Sequence, residues 1–150
     1  VWLTNAYFVP DNFLLKTLKI SAKKGVDVCI LLPIKSNVFF IPWASETFYQ
    51  SLIKAGVKIY EYLPSVLHAK ILIIDDWVSM GSSNLNHRSL LHDLEVDVSL
   101  QGQDAKQQVC DQFDEDLKQS QKVSLSNWSQ RPWYRRFFGR HHKTGCKRDE

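Results

Sequence analysis

Hydrophobic side chains recur along the chain at two spacings. In three segments they return every three or four residues, the period of an amphipathic helix. These segments would bury Leu14, Leu15, Leu18 and Ala22, then Phe48, Leu52 and Ala55, then Ala105, Val109, Phe113 and Leu117. Elsewhere they form short runs or alternate with polar residues, which predicts strands over 2–9, 26–32, 57–62, 67–74, 77–80 and 94–100. Strands that alternate with helices indicate an α/β fold.

Capping residues set the predicted helix boundaries. Asp11 is a suitable N-cap for the first helix, and Gly25 suits its end. The second helix is expected to start near Pro42 or Ser45 and to stop at Gly56.

The strand over 94–100 alternates strictly. Leu94, Val96, Val98 and Leu100 are separated by polar residues, which predicts one face in the core and one turned elsewhere. Glu95 lies on the second of these faces.

The composition fits one globular domain. With 150 residues and 44% hydrophobic content, the chain is long enough for one core and short for two. Its apolar runs are shorter than the roughly 20 residues that span a bilayer. The chain opens on Val1 without an initiator Met or a leader pattern, so we expect the natural N-terminus to lie upstream. Three cysteines without C-x-x-C spacing predict neither a disulfide framework nor a zinc site, and reduced thiols fit a cytosolic setting.

Charge separates a mildly acidic body from a basic tail. Seven of the 19 lysines and arginines fall in the last twenty residues, against two of the 16 acids. We therefore divide the chain into a main domain over 1–125 and a basic, aromatic tail over 126–150. Interleaved cations and aromatic rings suit contact with an anionic membrane. Nucleic-acid binding and a mobile terminus without a partner stay open as alternatives.

The segment from His68 to Asp75 carries the first chemical signal. In a strand, His68 and Lys70 lie on the same face, because side chains two residues apart point the same way. An imidazole can attack phosphorus or protonate a leaving oxygen near neutral pH. An ammonium stabilises the charge that grows on phosphate oxygens in the transition state. The pair therefore indicates phosphoryl transfer.

The loop 81–84 carries the second signal. Its small residues let backbone N–H groups approach an anion, and Ser82 and Asn84 add a hydroxyl and an amide. Glu95 can orient an imidazole through the second ring nitrogen and stabilise it when charged.

The spacing of these residues resembles a known motif. His68, Lys70 and Asp75 form H-x-K-x4-D, and G-S-x-N follows at 81–84, which is similar to the HKD motif of the phospholipase D superfamily. The resemblance extends to the second half of bacterial cardiolipin synthases through the segments at 7–11, 25–28, 31–33, 56–62 and 94–96. It covers about residues 1–118 of the chain.

One departure from the family pattern falls beside Asp75. Five residues separate Asp75 from Gly81, where the family usually has six. We therefore predict a tighter turn at Asp75 and Asp76. Asp75 is grouped with the catalytic residues as a member of the motif, although a structural role is the better interpretation.

The resemblance implies a fold and a mechanism. The fold is a mixed β-sheet flanked by helices, one of two pseudo-symmetric halves, in which His68, Lys70 and Asn84 converge at the sheet edge where the second motif docks. The reaction runs through a phosphohistidine, and the second motif's histidine protonates the leaving alcohol. On this chain His68 is nucleophile or general acid and base, Lys70, Ser82 and Asn84 hold the phosphate, and Glu95 supports a histidine. Neither a metal nor a cofactor is expected.

The implied function is phosphatidyl transfer of the cardiolipin synthase type. The substrate is then a phosphatidylglycerol-like phospholipid, and the protein is peripheral or anchored at the cytoplasmic side of the cell membrane. The second half-domain is supplied in cis or by dimerisation. The alternative is a metal-independent phosphodiesterase or nuclease that acts as a homodimer and grips nucleic acid with its tail. A phospholipase with water as acceptor and a non-enzymatic binding remnant are further interpretations.

Other residues carry weaker signals. His87, His92, His141 and His142 are expected to face solvent or to bond locally. Arg88 follows the site loop and is a candidate substrate contact. The apolar loop 38–43 suits an acyl-chain groove and an ordinary buried loop equally well.

Overall fold

Helices and strands alternate through the first half of the chain, as the hydrophobic pattern predicts. The computed structural model describes residues 1–38, 40–86 and 92–132. Its elements in chain order are β1 (Trp2–Asn5), α1 (Asn12–Lys23), β2 (Cys29–Lys35), α2 (Ile41–Lys54), β3 (Lys58–Val66), β4 (Lys70–Ile74), β5 (Trp77–Gly81), β6 (Asp97–Ser99), α3 (Gln103–Lys118), β7 (Ser120–Val123) and α4 (Leu125–Ser129). The predicted α/β class is confirmed.

Within these ranges, seven strands form one mixed sheet in the order β6-β5-β4-β1-β2-β3-β7. Strands β1, β2 and β3 are parallel, with α1 and α2 as their crossovers. The remaining neighbours are antiparallel. The carboxyl ends of β1–β3 therefore lie on the same side as the start of β4, the end of β5 and the start of β6. We call this side the carboxyl edge. The predicted mixed sheet flanked by helices is confirmed.

Two hydrophobic clusters lie on opposite faces of the sheet. The first contains Leu3, Ile30 and Leu52 and is covered by α1 and α2. The second contains Leu31 and Phe113 and is covered by α3. Neighbouring residues of β2 thus enter different clusters, which explains its continuous apolar sequence. Burying each such side chain contributes roughly 1.5–3 kcal/mol.

The predicted helix boundaries are confirmed. The Asp11 carboxylate accepts a hydrogen bond from the Leu14 N–H at 2.7 Å and so caps α1. Gly25 and Gly56 follow the ends of α1 and α2 with φ of 91° and 99°, which glycine adopts without strain. None of the helices in the described ranges is long and apolar enough to cross a membrane.

The bounds of β2 differ from the prediction. The strand begins at Cys29, three residues later than expected, and continues through Pro33 to Lys35. The expectation that it stops before Pro33 is wrong. The register between β2 and β3 shifts between Pro33 and Lys35, and such irregularities accommodate a residue that has no N–H for the ladder.

The alternating segment 94–100 is mostly outside the core, against expectation. Only Asp97–Ser99 forms a strand, and Leu94, Val96 and Val98 are exposed, with Leu94 at 104%. Leu100 alone of the four apolar residues packs against the second cluster. Strand β6 is at the end of the sheet, and alternation identifies the faces of a strand but not whether another element covers them.

Two elements near the C-terminus were not predicted. Strand β7 pairs antiparallel with β3, and α4 places Trp128 in the first cluster. The four residues of β7, Ser-Gln-Lys-Val, are too few and too polar to show a period.

The first part of the predicted tail packs on the domain. The Arg131 guanidinium lies 3.0 Å from a Glu46 oxygen and 2.5 Å from a Glu61 oxygen, and both carboxylates are buried. It also lies over the Tyr49 ring, 5.9 Å from its centroid. Residues 126–132 are therefore attached to the body. Residues 133–150 lie outside the described ranges. For these residues, the division into a domain and a separate basic tail stays a prediction.

Replacing Arg131 should destabilise the fold. Arg131→Met keeps much of the side-chain volume but leaves Glu46 and Glu61 buried without this cation. Breaking one side of a buried ion pair costs about 3–5 kcal/mol, and the side chain is 17% exposed, so we expect the lower end of that range. Urea unfolding measures it. Lys118→Met, which breaks the exposed pair with Glu115, is the control and should leave the midpoint unchanged. Equal midpoints for both variants would contradict this role of Arg131.

Candidate active site

His68 and Lys70 lie at the carboxyl edge, although only Lys70 is in a strand. Strand β4 starts at Lys70, which pairs with Asn5 at the end of β1. The expectation of a strand from residue 67 is wrong, because β3 runs to Val66 and residues 67–69 connect the two strands. The two residues are nevertheless close, since the Lys70 ammonium donates to the His68 backbone carbonyl at 3.3 Å. His68 itself is exposed.

Lys70 is a buried residue whose ammonium is partly desolvated. Only 9% of the residue is exposed. Burial lowers the pKa of Lys70, and the charge of the Glu95 carboxylate opposes this shift. A cation with few water contacts attracts an anion more strongly than one in bulk solvent. Lys70 is therefore well placed to bind phosphate oxygens.

Tyr7 contacts both residues and was missed by the sequence reasoning about the site. Its ring meets the His68 imidazole edge to face, with centroids 5.5 Å apart and planes at 69°. The Lys70 Nζ lies 5.9 Å from the centre of the same ring. The Tyr7 hydroxyl donates to Asn37 Oδ1 at 2.6 Å. Tyr7 lies within the first predicted strand, 2–9, but β1 ends at Asn5, so the predicted end of this strand is wrong. The family-like segment 7–11 was the available signal for Tyr7.

Ser82 of the predicted phosphate loop is hydrogen-bonded to Glu95. The Ser82 hydroxyl donates to a Glu95 oxygen at 2.5 Å and accepts from the Val96 N–H at 2.9 Å. Its proton is thus directed to a carboxylate in this structure. In this structure Ser82 and Glu95 are hydrogen-bonded to each other. Phosphate binding by Ser82 and support of an imidazole by Glu95 both stay predictions.

Asn5 and Asp97 hold the loop from its two sides, and neither was predicted. Asp97 accepts from the Ser83 N–H at 3.2 Å and from the Ser83 hydroxyl. Asn5 is 1% exposed, and its Oδ1 accepts from the N–H groups of Tyr7 at 3.1 Å and Leu85 at 3.2 Å. Its Nδ2 donates to the Ser83 carbonyl at 3.5 Å. A polar residue within the predicted apolar strand 2–9 was the signal for Asn5.

Asn84 has an uncommitted side-chain oxygen. Its Oδ1 is buried, and no donor among the described residues reaches it. A buried acceptor without a donor costs about 1–3 kcal/mol, so a ligand hydroxyl there would be stabilising. Residue 84 is held in place through its neighbours, since the Val9 N–H donates to the Leu85 carbonyl at 3.2 Å.

Asp75 is not brought to the site. It lies beyond the far end of β4, five residues from Lys70, or about 17 Å at the usual rise of a strand. Ile74 pairs with Trp77, so Asp75 and Asp76 form a two-residue turn, and Asp75 has a φ of 52°. The predicted tight turn is confirmed. Aspartate tolerates this left-handed conformation better than most residues do.

A cavity of about 240 Å³ adjoins Lys70. Its polar lining includes Asn5, Ser83 and Asp97, and Trp77 contributes an apolar wall. It therefore offers space for a small polar group next to the ammonium.

Some predicted contacts lie outside the described residues. These are His87, Arg88 and the cations of 133–150. In the loop 38–43, residue 39 also lies outside, whereas Phe40 and Trp43 are exposed at the start of α2. The acyl-groove interpretation of this loop stays a prediction.

The fold is that of the phospholipase D family. Nuc from Salmonella typhimurium, a phospholipase D family member, superposes with a TM-score of 0.67 at 18% identity, covering 81% of this chain and 79% of Nuc. Phosphatidylserine synthase of Haemophilus influenzae Rd KW20 gives a TM-score of 0.61 at 18% identity, covering 81% of this chain and 33% of that protein. These likenesses concern the fold alone.

Residues 1–117 match the family described as "Cardiolipin synthase, PLD-like domain", and the chain belongs to this family. Cardiolipin synthase of Geobacillus sp. (strain WCH70) is 38% identical over 133 residues, covering 88% of this chain and 26% of that protein. Cardiolipin synthase 2 of Bacillus anthracis is 35% identical over 137 residues, covering 91% and 27%. The chain thus spans about a quarter of the length of these relatives.

Gly81→Ala should disrupt the loop. A Cβ at Gly81 would lie 2.1 Å from Asp97 Oδ1 and 2.3 Å from the Val96 carbonyl oxygen, so β5 and β6 would have to separate. We expect this overpacking to lower the free energy of unfolding by about 1–3 kcal/mol and to weaken the binding of inorganic phosphate. Gly102→Ala is the control, because nothing lies within 4 Å of its new Cβ. A Gly81→Ala protein as stable as this control would refute the close approach.

Proposed function

We propose that this chain is one catalytic half of a phosphatidyltransferase of the cardiolipin synthase type. The observation that carries the proposal is the partly buried Lys70 ammonium next to His68, at the carboxyl edge of a chain from the cardiolipin synthase family. An imidazole can act as nucleophile or as acid and base, and an ammonium can stabilise the phosphate oxygens, so the pair suits metal-independent phosphoryl transfer.

The first step breaks the bond between phosphorus and the leaving alcohol. An imidazole nitrogen attacks the phosphorus of a phosphatidylglycerol-like lipid and forms an N–P bond, while the glycerol oxygen departs and takes a proton from a second imidazole. Lys70 stabilises the non-bridging oxygens. The products are a phosphatidyl-histidine and free glycerol.

The second step reverses these roles with another alcohol. The acceptor hydroxyl gives its proton to the second imidazole and attacks phosphorus, the N–P bond breaks, and a new phosphodiester leaves. His68 supplies one of the two imidazoles. The other comes from a second half-domain, in cis or by dimerisation, that docks at the carboxyl edge.

The remaining motif residues support this reaction in different ways. The Asn84 side-chain amide donates a hydrogen bond to the phosphate group. The Ser82 hydroxyl donates to the phosphate as well when it turns away from Glu95. Glu95 also stabilises the Lys70 ammonium. Asp75 shapes the β4–β5 turn and takes no part in the chemistry.

The proposed setting is the cytoplasmic side of the cell membrane, where the protein is peripheral or anchored by other segments. The substrate is then a lipid in that leaflet, and the basic residues after 132 favour its anionic surface. The second candidate, a homodimeric nuclease, shares the fold of Nuc, but the family match at residues 1–117 favours the lipid enzyme.

His68→Gln tests the function directly. Full-length protein is incubated with phosphatidylglycerol vesicles in the presence of a chelator, and new phospholipid and released glycerol are quantified. We expect equal molar formation of both by the wild type and a loss of at least about 10³-fold in the variant. His92→Gln is the matched histidine control and should retain the wild-type rate.

Two results would overturn the proposal. One is an unchanged rate in His68→Gln. The other is cleavage of single-stranded or double-stranded DNA in chelator without any phospholipid product, which would support the nuclease.

Glu95→Gln should move the alkaline limit of activity to lower pH. The pKa of Lys70 is lowered by burial, and the Glu95 charge partly offsets this effect. Without that charge the Lys70 pKa falls further, so the ammonium is lost at lower pH as pH rises. The measurement is the pH at which kcat/KM falls to half on the alkaline side. Glu115→Gln, on the exposed surface of α3, is the control; an unmoved limit in Glu95→Gln would contradict the coupling.

A further inference from the structure

We propose that Tyr7 is a positioning residue for His68 and Lys70, and that Asn5 and Asn37 hold it in place. The inference rests on the proposed function, because it concerns the same two groups. It assigns a task to a side chain outside the motif.

The contacts of the Tyr7 ring support this role. The ring meets the His68 imidazole at 5.5 Å between centroids and lies 5.9 Å from the Lys70 Nζ. His68 is exposed and precedes β4, so its own backbone does not place it in a regular element. An aromatic ring against one side of an exposed imidazole limits the orientations that the imidazole can adopt. The face of a tyrosine also attracts an ammonium.

Tyr7 is fixed at both ends. Its backbone N–H donates to the buried Asn5 side chain at 3.1 Å, and its hydroxyl donates to Asn37 at 2.6 Å. Asn37 belongs to the β2–α2 connection, 30 residues along the chain. The hydrogen bond to Asn37 thus joins the β1–α1 connection, which carries the Tyr7 ring, to the β2–α2 connection. Asn5 also bonds Ser83 and Leu85, so the same amide places the ring and the loop relative to each other.

These contacts predict separable effects of the ring and the hydroxyl. Tyr7→Leu removes the ring, whereas Tyr7→Phe removes only the bond to Asn37. Because misplaced catalytic groups lose on the order of 10²-fold in rate, we expect Tyr7→Leu to lower kcat by about 10- to 100-fold with KM within about threefold. Tyr7→Phe should lower kcat by only about threefold, because it removes one hydrogen bond and keeps the ring. Asn37→Ala should match Tyr7→Phe, and the double variant should be no slower than either.

The pH profile separates positioning from general damage. Tyr7→Leu removes the ring from beside the ammonium, so its alkaline limit of kcat/KM should move to lower pH. Tyr7→Phe keeps the ring and should keep the limit. Tyr60→Leu, a half-buried tyrosine in the second cluster, is the control and should change neither kcat nor the limit.

A chemical probe tests the contact without using the reaction. Diethyl pyrocarbonate acylates neutral imidazole, and trypsin releases residues 59–70, in which His68 is the one histidine. In the full-length protein, Tyr7→Leu should raise the acylation rate of His68 by roughly threefold, because one side of the ring is uncovered. Tyr60→Leu should leave it unchanged.

The outcomes distinguish this inference from the proposed function. If His68→Gln is inactive but Tyr7→Leu keeps the wild-type kcat, alkaline limit and acylation rate, the inference is wrong and the function stands. If His68→Gln is active, the function falls, and the acylation rate alone decides on Tyr7. If Tyr7→Leu does not fold, as judged by thermal unfolding, additive losses in Tyr7→Phe and Asn37→Ala overturn the inference.

Discussion

The antiparallel pairing of β1 with β4 determines where the chemical groups of this domain lie. It puts Asn5 opposite Lys70 at the carboxyl edge and Leu3 opposite Leu72 in the first cluster. A slip of one residue would turn Lys70 to the other face of the sheet and Leu72 away from its cluster. The burial of leucine therefore fixes the register, and the register places the ammonium. The stability of the fold and the geometry of the site therefore depend on the same pairing of β1 with β4.

Charge at the carboxyl edge is arranged so that the Lys70 cation is left for a ligand. The Glu95 and Asp97 carboxylates lie near the loop, yet each accepts from a serine of that loop, Ser82 or Ser83. Hydrogen bonds to a carboxylate disperse its charge and lessen its repulsion of a phosphate. The Lys70 ammonium donates to a neutral carbonyl, so it keeps its charge for an anion. Burial strengthens this attraction while it lowers the pKa of Lys70, and Glu95 limits that loss.

Sequence reasoning succeeded where the cause is local. The Asp11 cap, the glycines after two helices and the turn at Asp75 each depend on a few adjacent residues, and the structure has them as expected. The motif likewise made His68 and Lys70 candidates for the site, and the structure has both at the carboxyl edge. Strand ends were less predictable, since Pro33 is accommodated by an irregular register with another strand that the local pattern does not contain.

Residues whose role depends on distant partners were out of reach. Asn5 bonds residues 78 and 80 positions away, and Arg131 joins a carboxylate 70 positions back. In the sequence the first is an ordinary polar residue and the second one cation of a basic tail. Only the sheet order brings the end of β1 beside the loop, and only β7 returns the chain to Glu61. A short motif therefore specifies candidate groups for a site, while their surroundings depend on contacts between residues far apart in the sequence.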